Sequence, residues 1–126
     1  MVKVYESSNG LKITVGQSAT ENDRIRKCAS QKDLWFHLDN VASPHVILSA
    51  PKSGAITRQD ITEAAQLVKF YSKQKSSARS SVIYINVKRV KKVPEIDGRC
   101  ELSAKPEQLT VFQADSDLLD GLRLVS

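Results

Sequence analysis

Apolar and polar positions alternate with a period of two at the start of the chain. Val2–Ser7 and Leu11–Val15 are β-rich runs separated by Ser8-Asn9-Gly10. Asn-Gly between such runs predicts a hairpin, because both residues tolerate positive φ. A short helix is expected over Glu21–Ala29, capped by Thr20, with acidic residues in the first turn where the helix dipole favours them. Period two returns at Leu34–Leu38, which would turn Leu34, Phe36 and Leu38 to one side of a sheet and Trp35 and His37 to the other. Val41-Ala42-Ser43-Pro44 breaks that strand. His45–Ser49 reads as the next, with Val46 and Leu48 on one face and His45, Ile47 and Ser49 on the other.

The period then changes to 3.6. Thr57–Ser76 predicts a helix, with Thr57 as N-cap and Asp60 in a capping-box position. Ile61, Ala64, Ala65, Val68 and Tyr71 form an apolar stripe suited to packing on a sheet, and Lys69 and Lys73 lie off it. Val82–Val87 is β-branched and predicts a strand, with Ile83, Ile85 and Val87 on one face and Tyr84, Asn86 and Lys88 on the other. Arg99–Ser103 and Leu109–Gln113 are expected to close the fold as a strand pair, followed by a short helix around Asp117–Leu122. The resulting fold class is α+β: a small, mostly antiparallel sheet packed against one long amphipathic helix and a shorter helix.

Composition bounds this picture. A chain of 126 residues, 40% hydrophobic and 26% charged, is one globular domain over 1–126. No apolar run approaches the roughly 20 residues that span a bilayer, so no membrane partner is expected. The start, Met1-Val2-Lys3-Val4-Tyr5, lacks the apolar stretch of a signal peptide, which points to a cytoplasmic location. Cys28 and Cys100 have no CxxC spacing and read as free thiols, one or both in the core.

The net charge of +5 matters through its placement. Residues 51–100 carry eleven basic and four acidic side chains. Between Ala64 and Pro94 eight positive residues meet no acidic one: Lys69, Lys73, Lys75, Arg79, Lys88, Arg89, Lys91 and Lys92. A solvated face usually mixes signs. A segregated run is suited to phosphates, where counterion release supplies sequence-independent affinity, and these eight are the candidate nucleic-acid contacts. Trp35 and His37 on one strand face, with His45 beginning the next strand, would make an aromatic patch able to stack on unpaired bases, and Tyr84 is expected to help shape the site by stacking or by holding its loops. A lone tryptophan is more often a core residue, and the periodicity favours core for Trp35. His37 and His45 near Asp33 and Asp39 give no metal-ligand spacing. The chain also lacks a Gly-rich phosphate loop, an HExxH motif and a nucleophile elbow. It is expected to be no enzyme and to need neither metal nor cofactor.

The residues carry a resemblance. Glu21-Asn22-Asp23, Lys32-Asp33-Leu34-Trp35-Phe36-His37 and Ser43-Pro44-His45-Val46-Ile47 resemble the NFACT-R domain, as do the segment from Asp60 to Lys73 and the later Val87-x-x-Val90-Lys91-Lys92. The likeness runs in order from about Ala19 to Phe112 and leaves 114–126 as a tail. It implies an RNA-binding module of ribosome-associated quality control, with tRNA or ribosomal RNA as partner, and no catalysis. A ribosome or a protein partner is a further implied alternative, as is DNA, since a eukaryotic stand-alone form is linked to DNA sensing. The implied motif residues are Asn22, Asp33, Trp35, His37, Ser43 and His45. The family commonly has Gly-Ser-His where this chain has Ser43-Pro44-His45, and proline removes a backbone donor that such a loop would offer to phosphate. The likeness also implies a minimal stand-alone form of the domain.

Overall fold

The computed structural model describes residues 2–94, 100–113, 119 and 122–125. Lys3–Glu6 (β1) and Lys12–Gly16 (β2) form the expected hairpin, in the register Lys3 to Val15 and Glu6 to Lys12. Its turn is longer than a two-residue Asn-Gly loop. Ser7 N–H donates to the Leu11 carbonyl and Gly10 N–H to the Ser7 carbonyl, and of Asn9 and Gly10 only the glycine takes a positive φ, 85°. The turn is docked on the second helix. Ser7 Oγ and Asn9 Nδ2 donate to Asp60 Oδ1, and Ser8 N–H and Oγ donate to the two oxygens of the buried Glu63.

The remaining elements are Ala19–Cys28 (α1), Leu34–Leu38 (β3), His45–Leu48 (β4), Arg58–Phe70 (α2), Arg79–Asn86 (β5), a 3-10 turn over Val87–Arg89, Val90–Lys92 (β6), Cys100–Leu102 (β7), Glu107–Phe112 (β8) and Arg123–Leu124 (β9). The first helix begins two residues earlier than expected, because Ser18 rather than Thr20 caps it by accepting from Glu21 N–H. The second helix has the expected Thr57–Asp60 capping box but ends at Phe70, not Ser76. Ser72 stops it: its N–H and hydroxyl both bond the Lys69 carbonyl, and the chain then turns back over 71–78.

The main sheet is larger than expected. Seven strands run in the order β8-β5-β3-β4-β2-β1-β9, all pairings antiparallel, and a separate ribbon joins β6 to β7. The two late strands do not pair with each other. β7 pairs with β6, whose residues the sequence reading left outside a strand pair, and β8 joins the edge of β5. The expected helix around Asp117–Leu122 lies largely outside the described residues.

The two faces sort as the period-two pattern predicts. Phe36, Leu38, Val46 and Leu48 join Ile13, Val15, Val82 and Val111 under Ala64, Ala65, Leu67 and Val68 of α2. Trp35, Ile47, Ile85, Val87 and Val90 pack with Ile25 of α1 on the other face. Tyr84 stacks on Phe36 on the α2 side, its centroid 5.2 Å away, so it stands across the sheet from Trp35 and does not help shape that site. Both cysteines are free thiols, as expected: Cys100 is half-buried against the Trp35 cluster, where burial pushes its thiol up, and Cys28 is exposed.

Candidate nucleic-acid interface

The motif residues meet on the α1 face of the sheet. Trp35 and His45 are 4% and 2% exposed, so Trp35 is a core residue and offers no surface for stacking. The indole Nε1–H donates to His45 Nδ1 at 3.1 Å, which places the ring proton of His45 on Nε2. His37 lies parallel to the indole, with centroids 5.4 Å apart and planes 12° apart. His37 and His45 meet edge to face at 5.3 Å. His37 Nδ1–H donates to the Leu38 carbonyl at 2.6 Å. Burial pushes the His37 pKa below its ordinary value, and the Leu38 carbonyl opposes that shift.

The other three motif residues hold loops. Asn22 Oδ1 accepts the His45 N–H at 3.1 Å, tying α1 to β4. Gly16 makes this approach possible, since a Cβ there would collide with Asn22 Oδ1. Ser43 Oγ accepts from Leu38 N–H and donates to the Pro44 carbonyl, closing the β3–β4 loop. Pro44 is buried and, as a proline, has no amide N–H to offer at that position. Asp33 accepts from Ser30 N–H and Ala50 N–H, and its carbonyl takes the Val87 N–H at 2.9 Å. That last bond fixes the turn that carries Lys88 and Arg89.

The eight basic residues do not form one patch. Lys69 is 1% exposed, and its ammonium donates to the carbonyls of Gln74, Lys75 and Ser77 at 2.6, 3.0 and 2.6 Å. It is an internal anchor for the turn after α2 and does not reach phosphate. Periodicity placed it off the apolar stripe, but the chain doubles back over it. Burial lowers its pKa. Lys73, Lys75 and Arg79 are exposed, with the Lys75 ammonium 4.2 Å above the Phe70 ring. Lys88, Arg89 and Lys91 are exposed at the other end of β5. At about 3.3 Å per residue, the eight residues of β5 separate the groups by about 23 Å.

The second group gains partners that the sequence reading missed. Arg24 and Lys27, exposed on α1, line an open depression of about 420 Å³ with Thr20, Asp23, Cys28 and Lys92. Lys92 Nζ stands 4.0 Å from Asp23 Oδ2, and Lys91 faces Glu101 across the β6–β7 ribbon. The signal available in the sequence was the three-residue spacing of Arg24 and Lys27, which puts both on one side of a helix. Their approach to Lys92 is set by topology. Among the described residues, no group of three or more His, Cys, Asp or Glu could hold a metal ion, and no helix is long and apolar enough to cross a membrane.

Comparison with known proteins accords with this architecture. The family model described as the NFACT protein RNA binding domain matches residues 1–99. The chain is similar to the Rqc2 homolog RqcH of Bacillus subtilis (strain 168), 32% identical over 93 residues, which are 73% of this chain and 16% of that protein. It is also similar to Coiled-coil domain-containing protein 25 of Danio rerio, 30% identical over 89 residues, 68% of this chain and 43% of that one. The chain thus spans less than half the length of either relative. The solved C-terminal part of the fibronectin/fibrinogen-binding protein from Streptococcus suis has the same fold, with a TM-score of 0.84 at 23% identity over 98% of this chain and 49% of that one. This chain therefore belongs to the family of the NFACT protein RNA binding domain.

Proposed function

We propose that this chain is an RNA-binding module without catalysis of its own, acting on tRNA or ribosomal RNA in ribosome-associated quality control. One observation carries the reading: Arg24 and Lys27 of α1 meet Lys92 around one depression, beside the turn that presents Lys88 and Arg89. Side chains of α1 and β6 line the depression and the Lys88–Arg89 turn runs directly into β6, an arrangement suited to neutralising successive phosphates. The motif cluster supports the rim from beneath: Asp33 holds the Val87 N–H, and Asn22 ties α1 to β4. Both histidines already bond within the domain, which favours a positioning role over acid–base work. Among the described residues the exposed large apolar side chains, Val41, Phe112, Leu124 and Val125, are dispersed over the β3–β4 loop, β8 and the β9 end. Dispersal favours RNA over a protein-docking adaptor, which would need a contiguous patch.

The test is fluorescence-anisotropy binding of tRNA, single-stranded RNA and duplex DNA across a salt series, with the double variant Lys88→Glu/Arg89→Glu alongside. Loss of two phosphate contacts should lower the slope of log K against log salt by about 1.4 on single strands and about 1.8 on duplex. An unchanged affinity and slope would remove the rim from the reading. No binding by the parent chain at low salt would refute RNA binding and leave the adaptor.

A further inference from the structure

We infer that the open face of β5 and β8 is a platform for the bases of single-stranded RNA, separate from the phosphate rim at α1 and β6; this rests on the RNA-binding reading above. The antiparallel register pairs Arg79 with Phe112, Ser81 with Thr110 and Ile83 with Gln108, and His37 of β3 lies beside Ile83. All of these stand on the Trp35 side of the sheet. On that side α1 packs over β2 and β4, the β6–β7 ribbon packs with Trp35, Ile83 and Ile85, and α2 covers the opposite face. The outer two strands keep Arg79, Gln108, Thr110 and Phe112 exposed, and Phe112 is 45% exposed.

The chemistry of this face is selective. An exposed phenyl ring stacks on any base, and a guanidinium directly across the strand pair reaches a phosphate or a second base. Its charge suits the same occupant. Arg79 stands at one end with Lys73 in the turn before it, while Lys88 and Arg89 stand beyond the other end, so a strand laid along β5 meets cations at both ends. The carboxylate at its margin, Asp39, is occupied, since its Oδ2 accepts from Gln108 Nε2 at 3.0 Å.

That bond also orients the amide. A carboxylate only accepts, so the nitrogen of Gln108 must face Asp39, and the same nitrogen donates to Ser81 Oγ. The amide oxygen is left as the group offered outward, and it is an acceptor. At the 4-position edge of a pyrimidine it accepts from the amino group of cytosine but not from the O4 of uracil, which can meet it only by turning its N3–H toward it. The platform should therefore discriminate cytidine from uridine, which share a ring size and differ at that position.

The experiment measures binding of ten-nucleotide oligocytidylate and oligouridylate, and of duplex RNA, to the parent chain, Phe112→Ala, Phe112→Tyr, Gln108→Leu and Lys88→Glu/Arg89→Glu. Trp35 fluorescence checks the fold of each. Expected is a loss of about 5- to 150-fold on single strands for Phe112→Ala with an unchanged salt slope. Phe112→Tyr should retain binding, and duplex affinity should stay unaltered. Oligocytidylate should bind more tightly than oligouridylate, and Gln108→Leu should abolish that preference. Full single-strand binding by Phe112→Ala while the charge reversal still weakens it would overturn the platform and leave the rim standing. Binding by no variant and not by the parent chain would overturn the RNA reading itself.

Discussion

Replacing Lys69 with methionine removes a buried ammonium and keeps most of its apolar stem. In the native fold that ammonium gives three short hydrogen bonds to the carbonyls of Gln74, Lys75 and Ser77, all in the turn between α2 and β5. A hydrogen bond to a charged group contributes about 1.5–3 kcal/mol, and bringing the ammonium out of water offsets part of the total. Methionine relieves that desolvation but leaves three carbonyls without their donor. Gln74 is half-buried while Lys75 and Ser77 are exposed, so water can reach part of the turn and the cost per carbonyl falls near the low end, about 1 kcal/mol. The net loss should be about 2–4 kcal/mol. At an m-value of about 1.5–2 kcal/mol/M, the urea midpoint falls by roughly 1–2.5 M. Trp35, buried and the sole tryptophan, reports the transition by fluorescence. Where the variant remains folded, its RNA affinity should match the parent. A loss under about 0.5 kcal/mol would refute the anchor. Weakened RNA binding at full stability would return Lys69 to the phosphate contacts.

Further outcomes follow from the buried polar groups. Gly16→Ala drives a methyl into Asn22 Oδ1 and strains its bond to the His45 N–H, so thermal unfolding should show a loss of about 1–3 kcal/mol; a variant as stable as the parent would refute that packing. Acid should destabilise the domain in two stages. Burial lowers the His37 pKa from 6.5, so the unfolded chain takes up that proton first, and stability present above pH 6.5 is lost as pH falls through the folded value. Burial alone would raise Asp60, but hydrogen bonds from Ser7, Thr57 and Asn9 outweigh it and hold the carboxyl below 3.8, so its contribution is present above that pH and lost as pH falls through the folded value. Urea midpoints measured from pH 8 to 3 should lose the upper stage in His37→Gln and the lower stage in Asp60→Asn; unaltered profiles would refute the assignments.

Local patterning was read correctly where a residue's environment depends on its near neighbours. The alternation over 34–38 and 45–48 sorted Phe36 and Leu38 from Trp35, and Val46 and Leu48 from Ile47, because a pleated strand sends successive side chains to opposite faces whatever lies beyond. The Thr57–Asp60 capping box is equally local. Errors arose where one local signal had another close by to compete with it. Ser18 displaced Thr20 as cap, and the helical stripe was carried past Phe70 although Ser72 offered the Lys69 carbonyl a better partner.

By itself, the sequence determined the α+β class, the two faces of the central strands, the concentration of basic residues in one stretch and the residues that carry the family likeness. Tertiary structure alone decided what those residues do. It turned Lys69 inward, because the chain after α2 folds back and supplies three carbonyls that water would otherwise satisfy. It divided the remaining cations between the two ends of β5, because an eight-residue strand is extended whereas the same number of residues in a run of letters is adjacent. It joined Arg24 and Lys27 to Lys92, some sixty-five residues away, and left Arg79, Gln108, Thr110 and Phe112 exposed on one face of β5 and β8. The meeting of Arg24 and Lys27 with Lys92 and the placing of β8 beside β5 depend on contacts between separate segments, and no periodicity within a segment encodes which other segment will pack against it.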